Sequence, residues 1–437
     1  MSSTSDVDMH QAQDTPRTTS AWRVFLASGV GTALEYYDFL VYGLAAALVF
    51  GPVFFPTADP LLGVLLGFAT FGTGFLARPI GGIVLGHFGD KIGRRAMLIL
   101  TLIVMGVSTF LIGCVPGYDT IGIAAPVLLV VLRLIQGFAA GGEWGGAALN
   151  GVESAPANRR GFWGSFTSMG VGMGGLLGAG VFGATSAAFG GDLVEFGWRI
   201  PFWVGGLVAI FGLVARLFVL DTTKHAAKSE VPKLPIGQVL RKYPRFLLFG
   251  IGVSYAYNSL AYLGGTFLLS YVKQIGYPDD QALAAQLVYS AVSLVAAPAA
   301  ALLSDRIGRR RVVIGGAVLA IFMLFGFFAL VSANQFGTIL VAFGLVGIIT
   351  CLMLGPLPTF LSEQFPREVR YSGVSASYQI GAAIGGGTAA VIATALLLAF
   401  GSPLAPAAYG AFVAIVLIVC TLGLREGRGK TLSDLGG

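Results

Sequence analysis

Charge is scarce in this chain: Asp, Glu, Lys and Arg together make up 11% of its 437 residues. Soluble domains carry roughly 25%, so a surface exposed to water on all sides is excluded. Cysteine and histidine are scarcer still. Cys114, Cys351 and Cys420 lie in or beside apolar runs without ligand spacing, and read as small hydrophobes, not as a disulfide or metal framework. His10, His87 and His225 stand apart from any nucleophile. No Walker sequence is present, which excludes an ATP-driven pump on this chain alone. Neither metal nor cofactor is expected, and a catalytic residue set for a membrane enzyme is not visible. Residues 1–20 are polar and lack an apolar core, so they read as a disordered cytoplasmic tail, not as a signal peptide or span.

What the chain has instead is apolar length. Hydrophobic residues are 55% and the mean hydropathy is +0.81. Charged and Pro/Gly-rich breaks leave twelve segments, each near the ~20 residues that cross a bilayer. They are 22–50, 61–86, 96–115, 121–146, 163–189, 199–220, 245–273, 282–303, 312–332, 336–361, 372–400 and 405–424. Continuous apolar runs predict helices, because barrel strands would alternate every second residue. The fold class is therefore an all-α membrane protein of twelve transmembrane helices. The 64 glycines suit close helix packing, and they cluster at Gly170–Gly175 and Gly381–Gly387, in the fifth and eleventh segments.

Lysine and arginine fix the expected orientation. Of 27 such residues, 22 fall in the two termini and alternate loops, while the opposite loops carry Asp59, Asp119, Asp192, Glu195, Asp279 and Asp280. The positive-inside rule puts both termini in the cytoplasm. The formal charge of +6 then reflects topology, so no nucleic-acid partner is indicated. The expected setting is a multi-pass protein of the plasma (inner) membrane, functional as a monomer, with the lipid bilayer, a small-molecule substrate and protons as partners.

Two charged elements occur twice. Gly86-His87-Phe88-Gly89-Asp90-Lys91-Ile92-Gly93-Arg94-Arg95 is matched by Ser304-Asp305-Arg306-Ile307-Gly308-Arg309-Arg310-Arg311, 215 residues on. Glu153 and Arg160, seven residues apart around Pro156, are matched by Glu363 and Arg370 around Pro366, with an offset of 210. Duplication in membrane proteins belongs chiefly to transporters whose halves rock about a central site. The expected domains are the tail 1–20, a six-helix bundle 21–220, a lysine-rich cytoplasmic linker 221–243, a second six-helix bundle 244–424 and a cytoplasmic tail 425–437.

These residues resemble a family. The cassettes are similar to the signature between the second and third helices of the major facilitator superfamily, with its weaker copy between the eighth and ninth. The first copy fits throughout; in the second, Ala301 stands where the first glycine would be. Ala33-Leu34-Glu35-Tyr36-Tyr37-Asp38-Phe39-Leu40-Val41-Tyr42-Gly43 resembles the first helix of the metabolite:proton symporters within that superfamily. Arg78-Pro79-Ile80-Gly81-Gly82 and the stretch from Arg133 through Gln136 to Glu143 resemble that subgroup too. The resemblance implies two six-helix bundles, a cavity lined by the first, fourth, seventh and tenth helices, and transport of organic acids or of zwitterions such as proline and betaine.

Charges inside spans are costly and mark function by default. Glu35 and Asp38 are three residues apart and share a helix face, which Tyr42 extends. One acid can neutralise Arg133, near the middle of the fourth segment; the other is then available to carry a proton. Asp38 is the favoured carrier and Glu35 the second. Arg133 suits a substrate carboxylate, with Gln136 beside it. Aligning Gly250-Ile251-Gly252 with Gly29-Val30-Gly31 places Ala256 opposite Glu35 and Ser259 opposite Asp38. The seventh helix instead offers Tyr255, Asn258 and Tyr262, and the eleventh offers Tyr378 and Gln379. Arg78 reads either as an ion-pair partner of Glu143 or as a receiver of the substrate carboxylate. Asp90, Arg94, Arg95, Glu153, Arg160, Asp305, Arg309, Glu363 and Arg370 form the expected gate, a network closing the cytoplasmic side. The favoured function is proton-coupled uptake of a small organic acid or zwitterion by alternating access. Proton-coupled export of drugs or metabolites and uncoupled sugar facilitation are the alternatives.

Overall fold

The computed structural model describes residues 24–25, 29–92, 94–141, 144–156, 158–221 and 235–430, with no strand among them. Among the described residues the architecture is twelve long helices. They are α1 Gly31–Leu48, α2 Pro60–Ile92, α3 Arg94–Cys114, α4 Ala124–Ala140, α5 Arg160–Phe189, α6 Arg199–Asp221, α7 Pro244–Tyr262, α8 Asp279–Ile307, α9 Arg309–Val331, α10 Phe336–Leu354, α11 Arg370–Phe400 and α12 Leu404–Gly423. Trp144–Glu153 follows α4, a π-turn at Leu263–Phe267 leads from α7 into Leu268–Gln274, and Leu357–Ser362 follows α10. Nine of these stretches are long and apolar enough to cross a membrane; Ile99–Cys114 and Arg199–Val214 are apolar but shorter. In α1, Glu35, Asp38 and three tyrosines dilute the apolar character. The outer faces carry Ile83, Phe211, Leu248 and Phe322 exposed, as a protein solvated by lipid requires.

The packing repeats with an offset of six helices. In the first half α1 meets α5, α2 meets α4 and α3 meets α6; in the second half α7 meets α11, α8 meets α10 and α9 meets α12. The halves join along two seams, α5 with α8 and α2 with α11. Glycine makes the close approaches possible. A Cβ on Gly137 of α4 would strike the carbonyl oxygen of Gly74 on α2, so those helices cross with their backbones in contact.

Residues 222–234 of the expected linker, and the expected tail segments 1–20 and 431–437, lie outside the described residues. Residues 425–430 of the expected cytoplasmic tail are docked against the second half. The Glu426 carboxylate accepts from the backbone N–H groups of Arg309 (3.1 Å) and Arg310 (2.9 Å), at the amino end of α9. Gln364 donates to the Arg425 carbonyl (2.9 Å) and accepts from the Arg425 N–H (2.9 Å). A carboxylate at a helix amino terminus satisfies orphan donors and meets the positive end of the dipole, which anchors this segment.

Candidate functional site

The two acids of α1 take different partners. Glu35 Oε1 lies 2.7 Å from Arg78 Nη2 on α2, and both side chains are buried. The guanidinium of Arg78 also lies over the rings of Phe39 (4.0 Å) and Phe75 (4.7 Å). Arg78 is thus the partner of Glu35, a pairing that the sequence reading did not anticipate; Glu143 lies outside the described residues. Arg133 does not pair with either acid. It donates through Nη1 to Gln136 Oε1, one turn along α4. Its guanidinium is packed over the rings of Tyr42 (4.3 Å), Phe39 (4.5 Å) and Phe71 (4.9 Å). Its Nε and Nη2 have no hydrogen-bond partner among the described residues.

Asp38 is buried among neutral donors. Its Oδ2 is 2.8 Å from Thr109 Oγ1 on α3 and accepts from Gln136 Nε2 at 3.4 Å. Thr109 Oγ1 also lies 2.9 Å from the Met105 carbonyl and accepts from Gln136 Nε2 at 2.7 Å. A hydroxyl has one hydrogen, so it cannot donate to Asp38 and to Met105 together. With Asp38 ionised, Thr109 donates to the carboxylate. With Asp38 protonated, the acid donates to Thr109 and the threonine hydrogen turns to Met105. Asp38 Oδ2 and the Thr109 hydroxyl keep a hydrogen bond to each other in both states, so a proton can come or go without breaking that contact. Nothing in the sequence singled out Thr109, one of two threonines in an apolar helix.

A central cavity of about 70 Å³ lies on the other side of Phe39. It is well below the roughly 300–1,000 Å³ of small-molecule sites, so the halves must part to admit a substrate. Its walls come from α1, α5, α7, α8 and α10, and among the described residues no charged side chain lines it. Of the four helices that the resemblance implies, α1, α7 and α10 line this space and α4 does not, with α5 and α8 in its place. Helix α4 stands one layer back, and the Phe39, Phe71 and Phe75 cluster, closed by Tyr262 at 5.4 and 5.2 Å from the last two rings, stands between. Asn258 and Tyr262 line the cavity; Tyr255 does not, because Tyr257 and Ala261 set the facing stripe of α7. Tyr42 is also outside it, donating to Thr70 Oγ1 at 2.9 Å. Gln286 on α8 lines the cavity with both amide atoms unpartnered among the described residues, and nothing in the sequence pointed to it.

Tyr378 and Gln379 tie the halves together instead of facing the cavity. The Tyr378 hydroxyl meets that of Tyr36 at 2.7 Å, and its ring stacks on Trp144 at 3.4 Å between centroids. Gln379 donates to the Gly141 carbonyl at 2.9 Å. At the end carrying the cassettes, the expected gate residues do meet across the halves. Arg370 lies 3.3 Å from Glu153, and Arg160 lies 3.4 Å from Glu363. Arg309 reaches both Glu363 (3.4 Å) and Asp305 (2.9 Å). Asp305 accepts from the backbone N–H groups of Gly161 (2.9 Å) and Phe162 (3.0 Å), capping α5 of the opposite half. Glu363 sits just past its span, and burial pushes its carboxyl up to about 7, against the pull of Arg309 and Arg160. The side chains of Asp90, Arg94 and Arg95 lie outside the described residues. At the opposite end Lys273 donates to the Leu48 carbonyl at 3.1 Å, a contact between the halves.

Comparison with known proteins agrees with this architecture. The family model described as "Major Facilitator Superfamily" matches residues 39–288, and that described as "Sugar (and other) transporter" matches residues 246–436. The shikimate transporter of Escherichia coli (strain K12) is 39% identical over 87% of this chain and 89% of its own. The proline/betaine transporter of the same organism is 35% identical over 94% of this chain and 84% of its own. Among solved structures, a D-xylose-proton symporter has a TM-score of 0.71 at 20% identity, covering 94% of this chain and all of that one. Two bundles with matched packing, duplicated cassettes at one end and relatives along nearly the whole length give one conclusion: the chain belongs to the major facilitator superfamily, among its metabolite transporters.

Proposed function

We propose that this protein carries a small organic anion together with a proton by alternating access. The observation that carries the reading is the buried chain Arg133, Gln136, Thr109, Asp38, in which the acid keeps its bond to Thr109 with or without its proton. Asp38 is the proton carrier, and Glu35 is the fixed counter-ion of Arg78. Charge balance then couples the two cargoes. With Asp38 ionised, the described residues of this layer hold two cations, Arg78 and Arg133, and two anions. Protonating Asp38 leaves Arg133 uncompensated, and an anion is the ligand that restores neutrality in a low-dielectric interior. A ligand that binds better to the protonated form draws the proton with it.

The names of the relatives support a carboxylate: shikimate bears one, and proline and betaine each bear one beside a cation. Arg133 reaches such a substrate once Phe39 turns aside. The gate pair Arg370–Glu153 and the Asp305 cap on α5 hold the cassette end closed until the halves rock. That end is the cytoplasmic one, with 221–243 linking the bundles 21–220 and 244–424, and the inner membrane is the setting. The test is uptake into proteoliposomes under an imposed pH gradient, screening mono-, di- and tricarboxylates beside proline and betaine. A carboxylate should accumulate when the interior is alkaline, and a protonophore should abolish this. Accumulation that ignores the gradient contradicts the reading.

A further inference from the structure

Gln286 is fully buried, lines the central cavity, and has neither its amide nitrogen nor its amide oxygen hydrogen-bonded among the described residues. A buried amide with both functions unmade opposes folding, so its presence calls for another reason. Its neighbours are also polar and also neutral. Tyr289, Ser290 and Ser293 follow it at i+3, i+4 and i+7 on the same face of α8, and all line the cavity. Ser293 is committed to the Tyr289 carbonyl (2.7 Å) and Thr350 to the Val346 carbonyl (2.8 Å), while the Tyr289 hydroxyl has only a 3.4 Å contact with Thr350. Among the described side chains that line the cavity, Gln286 is the one whose donor and acceptor are both fully buried without a hydrogen-bond partner.

We propose that Gln286 is the specificity-determining anchor for hydroxyl groups on the substrate, so that the cavity takes a hydroxylated carboxylic acid in preference to a quaternary-ammonium zwitterion. This rests on the organic-anion reading above and narrows it. A hydroxyl both donates and accepts, which matches a primary amide presenting an N–H and a C=O side by side. A trimethylammonium group has no donor and would leave the amide oxygen unmade. Division of labour follows from position. The charged layer behind Phe39 handles carboxylate and proton, and the α8 face, in the other half, reads the hydroxyls. Because α5 and α8 form a seam between halves, contacts on Gln286 form on one wall of the site and tighten as the walls close.

The test uses purified full-length protein in proteoliposomes with three probes: shikimate, the same ring without hydroxyls (cyclohex-1-enecarboxylate), and betaine. Wild type should take up shikimate at lower KM than the other two. Gln286→Leu, of similar volume, should reduce the preference for shikimate over the unhydroxylated ring by about tenfold or more, since a site built to bond a hydroxyl discriminates strongly on it. It should also hold or raise the thermal midpoint, because an unsatisfied amide is replaced by an apolar group. A lowered midpoint with equal loss for both rings would make Gln286 structural and overturn the proposal. Gradient-driven uptake of betaine in preference to shikimate would overturn it too, while leaving proton coupling intact. A hydroxyl preference that Gln286→Leu abolishes, in vesicles indifferent to the pH gradient, would uphold the subsite and reject the coupling.

Discussion

Thr109 sits where one hydroxyl hydrogen must choose between Asp38 and the Met105 carbonyl, and under the proposed coupling that choice is the local mark of protonation. Thr109→Val keeps the shape and removes the choice. The ionised carboxylate then loses a donor, and hydrogen bonds to charged groups are worth roughly 1.5–3 kcal/mol. Gradient-driven accumulation should fall about tenfold or more, with a smaller loss of substrate exchange. Equal loss of both, measured in the same vesicles, would make the threonine a packing residue. At this scale sequence reading was uneven. Asp38, Glu35, Arg78 and Arg133 announced themselves, because a charge in an apolar run is conspicuous. Their partners did not. Arg78 meets Glu35 across two helices and Arg133 meets Gln136, and such choices depend on helix rotation, which spacing along one helix does not fix. Thr109 and Gln286 are neutral residues of ordinary kinds, and only the packed structure gives them meaning.

Among elements, the crossing of α2 and α4 positions the charged layer. A Cβ on Gly74 would lie 2.7 Å from Arg133 Nε and 3.1 Å from its Cδ, and Arg133 is fully buried between aromatic rings with nowhere to retreat. Gly74→Ala should therefore displace the guanidinium and cut transport as severely as Arg133→Lys. The lysine variant keeps the charge but loses the planar stacking on Phe39, Tyr42 and Phe71 and the fork toward a carboxylate. Both variants should insert and purify as wild type does, and normal uptake by either would mean that the guanidinium is idle. The helices themselves were readable, since apolar length and glycine clusters predict close-packed spans. Which helices wall the cavity was not readable from the repeat. The family pattern nominates α4, yet here the bulk of Phe39, Phe71 and Phe75 sets it back and α5 and α8 close the space.

For the whole molecule, the duplicated elements meet as read: Glu153 with Arg370 and Arg160 with Glu363 cross between halves. Each pair alone is weak where water reaches it, so the network and its helix cap act together. Glu363 adds a pH dependence. Burial raises its carboxyl to about 7 in this closed form, and opening to water would return it toward the ordinary ~4.3. The closed form then binds the proton more tightly, so falling pH, from about 8 toward 5, favours closure of the cassette end. A cysteine at Ser168, whose hydroxyl bonds the Leu354 carbonyl across the seam at 3.1 Å, reports on opening in a cysteine-free background. Its maleimide reactivity, corrected for thiolate fraction, should rise with pH, and Glu363→Gln should flatten the curve. An unaltered slope in that variant would assign the dependence elsewhere. Coupling remains the centre of the account, and Asp38→Asn measures it most directly. In proteoliposomes made alkaline inside, this variant should show no accumulation of substrate against its gradient, while still exchanging labelled for unlabelled substrate across the membrane. Accumulation at the wild-type level in Asp38→Asn would contradict the account.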